Sequence, residues 1–383
     1  MSHVTPLRTL GKIGCAMILL GSGLSCDFVS RIAAPPRDRV LWKAPGDAFL
    51  VAPSYDSTHA FFGSRDHQVV AVDRRTGTVR WRASTGSPGG TTAGWNTVVA
   101  GSVVVIGDVD LFAFDRATGA PAWSYRASDD DETGTHVLST DGAVIYASSL
   151  FGRVYAIDSR TGVPLWIAQL PGPPGVRTTT FDPTIGGGQI FVGLWHDTNP
   201  LSGGLAALDA ATGRVLWVRE FAARRIDLDS YCNGGAVIAS GLAIASASDG
   251  RIYGLDTAAG VIRWIVPAVA RYPTGDSRAL ALAGHVVLAS SNSGLVTGFD
   301  AATGAIRWST QVDGASLSYH VAADSQLAIF STSEIIAVDP QGGSVLWRTG
   351  VGKEGGDFWG LSTITPEAVL TNGLDGFYAL KKH

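Results

Sequence analysis

After residue 40 the apolar residues fall in short blocks such as Val69-Val70-Ala71-Val72, Leu111-Phe112-Ala113-Phe114 and Ile335-Ile336-Ala337-Val338. Gly-rich polar turns separate them, and no stretch of useful length repeats at helical spacing. Short blocks rich in β-branched and aromatic residues, bounded by turn residues, predict strands. One phrase recurs behind them. Asp73, Asp115, Asp158, Asp209, Asp256, Asp300 and Asp339 are followed four residues later by Gly77, Gly119, Gly162, Gly213, Gly260, Gly304 and Gly343. Each Gly is followed four residues later by Trp81, Trp123, Trp166, Trp217, Trp264, Trp308 or Trp347. An Asp carboxylate accepts hydrogen bonds from amides just ahead of it, and Gly takes a positive φ cheaply. The phrase therefore predicts a hairpin whose return strand carries a Trp, a large apolar plate suited to filling the gap between stacked sheets.

Counting from an orphan copy, Trp42, the intervals between these Trp residues are 39, 42, 43, 51, 47, 44 and 39. A period of this length fits a four-stranded propeller blade. The fourth interval is the longest, and its extra residues, Trp195 to Leu201, are expected to form a surface loop between the second and third strands. After Trp347 a last copy supplies three strands, including Phe377 to Leu380, and lacks its Trp strand. Trp42 is a Trp strand without a blade. Pairing the two ends hides both unpaired edges, so the sequence predicts an all-β, eight-bladed propeller of four-stranded antiparallel blades. The N-terminal strand closes it against the C-terminal blade.

Composition agrees with one large β domain: 48 Gly and 17 Pro in 383 residues, 45% hydrophobic and only 16% charged. The formal charge is −4, and removal of residues 1–26, with Arg8 and Lys12 and no acid, takes it to −6. Nothing in that balance attracts nucleic acid. Arg8 and Lys12 precede the apolar run Ile13 to Leu20, which is too short to span a bilayer. Small residues then lead up to Cys26, the layout of a secretory signal. Residues 1–26 are accordingly expected to be a signal peptide, 27–38 a Pro-containing tether and 39–383 the propeller. Of three cysteines only Cys232 lies in the folded region, so no disulfide framework exists. Small residues directly before a Cys resemble a lipobox, which implies a lipid-anchored Cys26 as first mature residue. Gly23 stands where that motif usually has Leu, so ordinary cleavage nearby stays open.

The repeat Ala-x-Asp-x-x-Thr-Gly-x-x-x-Trp resembles the docking motif of the pyrroloquinoline quinone (PQQ) propeller superfamily. Ala259 and Gly342 replace Thr, and Gly254 and Gly298 replace Ala. The resemblance implies that Trp42, Trp81, Trp123, Trp166, Trp217, Trp264, Trp308 and Trp347 dock between blades. The superfamily holds both quinoprotein dehydrogenases and non-catalytic scaffolds, so the site decides. Dehydrogenases of this kind are longer, and many carry adjacent Cys residues that this chain lacks. The His residues show no metal-ligand spacing. His136 and His320 are expected near the central channel, and Trp95, Trp195 and Trp359 lie outside the docking motif, as packing or as a platform for a planar ligand. No catalytic residue, metal or cofactor is expected.

Loops joining a Trp strand to the next blade cluster on one face. Asp129 to Glu132 is read as a solvated acidic run. Leu170 to Arg177 and Arg224 to Asp229 are neighbours in the ring, and the second, followed by Gly234-Gly235-Ala236-Val237, resembles the corresponding loop of the BamB family. That family comprises lipoprotein scaffolds of the outer-membrane β-barrel assembly machinery that bind the POTRA domains of BamA. The resemblance implies partner contacts at Val176, Arg177, Asp227, Leu228 and Asp229, with Pro174 in place of an expected Leu. It also implies a location on the periplasmic face of the outer membrane. Asp27 after the Cys resembles an inner-membrane retention signal, which keeps that address open. Alternatives are turn-capping by these charges, a ligand-binding or sensory propeller of an unrelated envelope complex, and a PQQ-dependent dehydrogenase.

Overall fold

The computed structural model describes residues 39–46, 52–86, 96–107, 110–126, 138–198, 202–221, 235–247, 249–266, 280–290, 294–312, 321–331, 334–349, 361–373 and 376–383. These form eight four-stranded antiparallel sheets and no helix. Blade 1 runs from Ser54 to Ser84, blade 2 from Thr97 to Tyr125, blade 3 from Ser139 to Gln169 and blade 4 from Thr178 to Glu220. Blade 5 spans Val237 to Val266, blade 6 Leu280 to Gln311, blade 7 Val321 to Arg348, and blade 8 Thr363 to Lys381 with Val40–Ala44 added.

The core is a ring of layers. Eight apolar clusters each join two neighbouring blades, from blade 1 with blade 2 round to blade 8 with blade 1. Both faces of the middle strands of every blade are thus covered, which explains why these strands read as apolar runs instead of alternating. Phe61 packs toward blade 2 while its neighbour Phe62 stacks on Phe377 of blade 8, ring centroids 4.6 Å apart.

The hairpin phrase behaves as its chemistry predicts. Asp73 Oδ1 accepts from the amides of Arg75 at 3.1 Å and Thr76 at 3.0 Å, and the Gly77 amide donates to Asp73 O at 2.8 Å. Gly77 has φ +72°, and the other motif glycines lie between +65° and +78°. A second constraint was not visible in the spacing: each motif Gly lies under the indole of the preceding blade. A Cβ added at Gly213 would come within 2.5 Å of Trp166 Cε3, and one at Gly119 within 2.6 Å of Trp81 Cδ2. The indole Nε1 then donates to the carbonyl just after the motif Asp. Trp42 donates to Arg74 O at 2.8 Å, Trp123 to Ser159 O at 2.8 Å, Trp166 to Ala210 O at 3.0 Å and Trp217 to Thr257 O at 2.9 Å. Trp81 and Trp308 do the same with Arg116 and Pro340, and Trp347, which meets no Asp-Gly turn in the blade that follows it, donates to Lys382 O. Trp264 packs on Gly304, but its Nε1 makes no hydrogen bond among the described residues.

The ring closes as expected from the orphan Trp42. Val40 pairs with Leu380, Trp42 with Ala379, Lys43 with Tyr378 and Ala44 with Phe377. No Asp-Gly turn exists at this seam, and the Arg39 guanidinium covers the Trp347 ring instead, 4.5 Å from its centroid. Lys382 Nζ donates to Asp324 Oδ2 at 2.6 Å in blade 7, and Thr363 Oγ1 to Pro53 O at 2.6 Å ahead of blade 1.

These turns give stability a defined dependence on pH. The Arg80 guanidinium hydrogen-bonded to Asp73, and Arg307 with Thr303 hydrogen-bonded to Asp300, hold both carboxyls down at about 2. Hydrogen bonds from the motif Thr lower Asp115, Asp158 and Asp209 as well. A carboxyl depressed on folding stabilises the native state fully above its unfolded pKa, near 3.9, and loses that contribution as pH falls through the folded value. The melting temperature should therefore depend little on these turns above about pH 5 and fall steadily between about pH 4 and pH 2. A scan in which Asp73→Asn with Asp300→Asn leaves the acid slope unchanged would show that the turns do not carry it.

Candidate partner-binding face

Blade 4 is built on longer strands than its neighbours. Thr178–Gly186 has nine residues, while Gln189–His196 and Ser202–Asp209 have eight each. This corrects in part the expectation of a loop over Trp195 to Leu201, which Asp197 and Thr198, outside any strand, retain. Trp195 and His196 continue the second strand, pairing with Thr179 and Thr178 on one side and with Gly203 and Ser202 on the other. Of the remainder, residues 199–201 lie outside the described residues. A bulge at Asp182-Pro183 interrupts the inner strand, where Phe181 faces Gly193 and the next pair is Thr184 with Phe191.

The connection from blade 3 to blade 4 carries Val176 and Arg177. The amide of Val176 donates to Pro173 O at 3.1 Å, and Gly175 has φ +74°. Pro at the second position and a positive φ at the third define a type II turn. Pro174, a departure from the BamB pattern, is thus the residue that presets this turn. Val176 emerges half-buried and Arg177 exposed. Arg177 is held by its backbone, since the Asp197 amide donates to Arg177 O at 3.0 Å, and its guanidinium lies 5.8 Å from the Trp195 ring centroid. Trp195 in turn stacks on Phe181 at 6.3 Å.

Beneath the loop sits a buried imidazole. His196, 1% exposed, joins Thr178 Oγ1 through Nδ1 at 2.9 Å and Glu220 Oε1 through Nε2 at 3.0 Å. Both ring nitrogens are thereby hydrogen-bonded. Gly172 of the loop presses on this pair: a Cβ there would lie 2.0 Å from Thr178 Oγ1 and 3.4 Å from His196 Nδ1. Three strand ends of blade 4 and the base of the loop are therefore tied at one point. Sequence reasoning missed this, because only the register brings Thr178, His196 and Glu220 together.

Asp227, Leu228 and Asp229 lie outside the described residues, as do Cys26, Trp95, Asp129 to Glu132, His136, Cys232, His320 and Trp359. The described ends of the loop that holds the first three, Phe221 and Gly235, are well anchored. Phe221 stacks on Tyr253 with centroids 4.3 Å apart and planes 4° from parallel, and Gly235 packs on Asp182 O. The described ends of this loop and of the Val176 loop are each the end of an outer strand and the start of the next inner strand, and these ends lie on the same face. Among the described residues no group of three or more His, Cys, Asp or Glu is arranged to hold a metal ion, and no helix is long and apolar enough to cross a membrane.

Blades that dock by an indole over a turn Gly, closed into a ring of eight, define a PQQ-like repeat propeller. The chain belongs to the family described as outer membrane protein assembly factor BamB, which matches residues 29–223 and 152–324. It is 28% identical to the outer membrane protein assembly factor BamB of Bordetella pertussis over 232 residues, 58% of this chain and 56% of that protein. It is 32% identical to the 1-butanol dehydrogenase (quinone) of Thauera butanivorans over 112 residues, 28% of this chain and 17% of that protein. The matches thus span well under two thirds of these relatives. Among solved structures, BamB from Moraxella catarrhalis superposes with a TM-score of 0.67 at 17% identity, covering 89% of this chain and 98% of that one. That likeness concerns the fold.

Proposed function

We propose that this protein is a non-catalytic scaffold of the cell envelope, BamB-like, that binds a BamA-like partner through its POTRA domains during assembly of outer-membrane β-barrel proteins. Family membership supports this reading, and the observation that carries it is the presentation of Arg177. A type II turn, a backbone hydrogen bond from Asp197 and the buried His196 hold the loop while its guanidinium stays exposed. Rigid loops with an exposed cation beside an apolar residue suit an interface. Asp227, Leu228 and Asp229 on the neighbouring connection complete it. Cys26 is the lipid anchor, residues 27–38 the tether, and the mature protein works from the periplasmic side of the membrane.

The test is binding of a BamA-like POTRA fragment to the full mature chain, prepared from membranes, with the mass of its first residue read alongside. A diacylglyceryl Cys26 is expected. Arg177→Ala with Asp229→Ala should move stability by no more than about 0.5 kcal/mol, as exposed loop charges do. The same change should weaken binding by about 2 kcal/mol or more, roughly thirtyfold, with wild-type affinity falling as salt rises. Equal binding by variant and wild type removes this face. The quinoprotein matches keep one other outcome concrete: saturable binding of PQQ with turnover of an alcohol would place the chain on the dehydrogenase side.

A further inference from the structure

Among the described residues the three most exposed large hydrophobic side chains sit together. Val163 is 58% exposed, Leu165 56% and Ile167 53%, all on or directly before the outer strand of blade 3, Pro164–Gln169. Phe151, also exposed, caps the tip of the same blade. The strand is an edge whose single ladder partner is Arg153–Asp158. Natural edges are usually guarded by charge, and five of the other seven blades carry a charge beside the docking Trp. The residues flanking the docking Trp are Arg80 and Arg82 in blade 1, Arg263 in blade 5, Arg307 in blade 6, Arg348 in blade 7 and Lys43 in blade 8. Blade 2 has small Ala122 and Ser124, and in blade 4 Leu216 and Val218 are half-buried. Only blade 3 combines two large exposed aliphatics with no charge, and its uncharged run extends from Thr161 to Val176.

The stripe has strand periodicity. Trp166 points into the layer shared with blade 4, while Leu165 and Ile167, on the alternate face of the strand, are exposed. The stripe is also continuous with the loop proposed above. Gln169 Nε2 donates to Phe151 O at 3.1 Å, Gly152 O at 3.3 Å and Leu170 O at 3.4 Å. One side chain thus fastens the end of the edge strand to the blade tip and to the start of the segment that leads to Val176 and Arg177.

We propose that the outer edge of blade 3 accepts an extended segment of the partner polypeptide as a fifth strand, apolar at alternate positions and uncharged where it crosses Leu165 and Ile167. This rests on the reading of Val176 and Arg177 as a partner contact, and adds to it a backbone contact on the same side of the ring. Strand addition uses main-chain hydrogen bonds for affinity and alternate side chains for choice. A charged residue laid on Leu165 or Ile167 would be desolvated without a partner, which is costly. The edge therefore selects by excluding charge.

The experiment compares wild type, Leu165→Lys with Ile167→Lys, and Arg177→Ala with Asp229→Ala, as full mature chains against the same POTRA fragment. Both edge positions are exposed, so thermal midpoints should stay close to wild type and confirm folding. The edge variant should bind about tenfold more weakly or worse. Amide exchange across residues 163–169 should slow when wild type is bound. Wild-type binding that the lysines leave intact overturns the edge proposal alone, whereas wild-type binding that ignores the Arg177 and Asp229 changes overturns the loop reading. No binding by wild type removes the partner, and this occupant with it. A wild-type dimer in sedimentation that the lysines dissociate would assign the edge to a second copy, which also overturns the proposal.

Discussion

Deletion of residues 39–45 should abolish the intact protein's cooperative melting transition or lower it by well over about 10 °C, because the deletion removes a strand and a core Trp together. Trp42 is 7% exposed and packs with Phe62, Val70, Leu370 and Phe377 at the junction of blades 8 and 1. Removing its indole alone, Trp42→Ala, should cost about 3–5 kcal/mol. The loss has two parts. The edge of Gly376–Lys381 is left with unpaired amides and carbonyls, and the Gly77 turn loses the ring that covers it. Calorimetry or circular dichroism melts settle the matter. A truncated protein that melts like the intact one would mean that the ring does not depend on this seam.

Gly213→Val should destabilise by about 4 kcal/mol or more, whereas Thr212→Ala, its neighbour in the same turn, should cost only about 0.5–1.5 kcal/mol. The first change forces a β-branched residue to φ +71° and drives a Cβ into Trp166. Left-handed backbone costs an L-residue about 1–2 kcal/mol, and the displaced Trp adds the price of a disrupted core contact. The second removes hydroxyl hydrogen bonds to Asp209 Oδ1 at 2.7 Å and from the Arg214 amide at 3.3 Å. Blade 5 already makes that turn with Ala259. Denaturant midpoints for the two variants give the comparison, and equal values would show that the close approach of Gly213 to the indole carries no weight.

Those two residues also mark how far the sequence could be read. Asp, Gly and Trp at fixed spacing announce the turn, and the repeat distance announces the blade, because both depend on local backbone geometry. The pairing of Val40–Ala44 with Phe377 to Leu380 was legible from what each end lacked. The stacking of each motif Gly under the preceding indole was not, since it joins residues a whole blade apart. For the candidate site, Val176 and Arg177 could be located by resemblance, yet the anchoring of their loop through Thr178, His196 and Glu220 depends on register. His196 reads as a loop residue until the strands of blade 4 are known to run past it. Exposure is equally opaque: Leu165 and Ile167 look like core residues in a strand, and only their place on an outer edge strand leaves them bare.

The non-covalent seam has a geometric consequence for an anchored protein. The chain enters the ring at Val40, in blade 8, while Arg177 and Glu220 belong to blade 4, half a turn away in a ring of eight. It enters at the start of an outer strand, on the face where the Asp-Gly turns lie, opposite to the face that bears the Val176 loop. An anchor at Cys26 would therefore hold the propeller by one rim and leave the partner face turned away from the attachment point. Twelve residues separate Cys26 from Arg39, with a maximum reach of about 40 Å. Val40 and the Val176 loop thus lie on opposite faces and half a ring apart, so a chain held through its N-terminal side would present that loop away from its attachment.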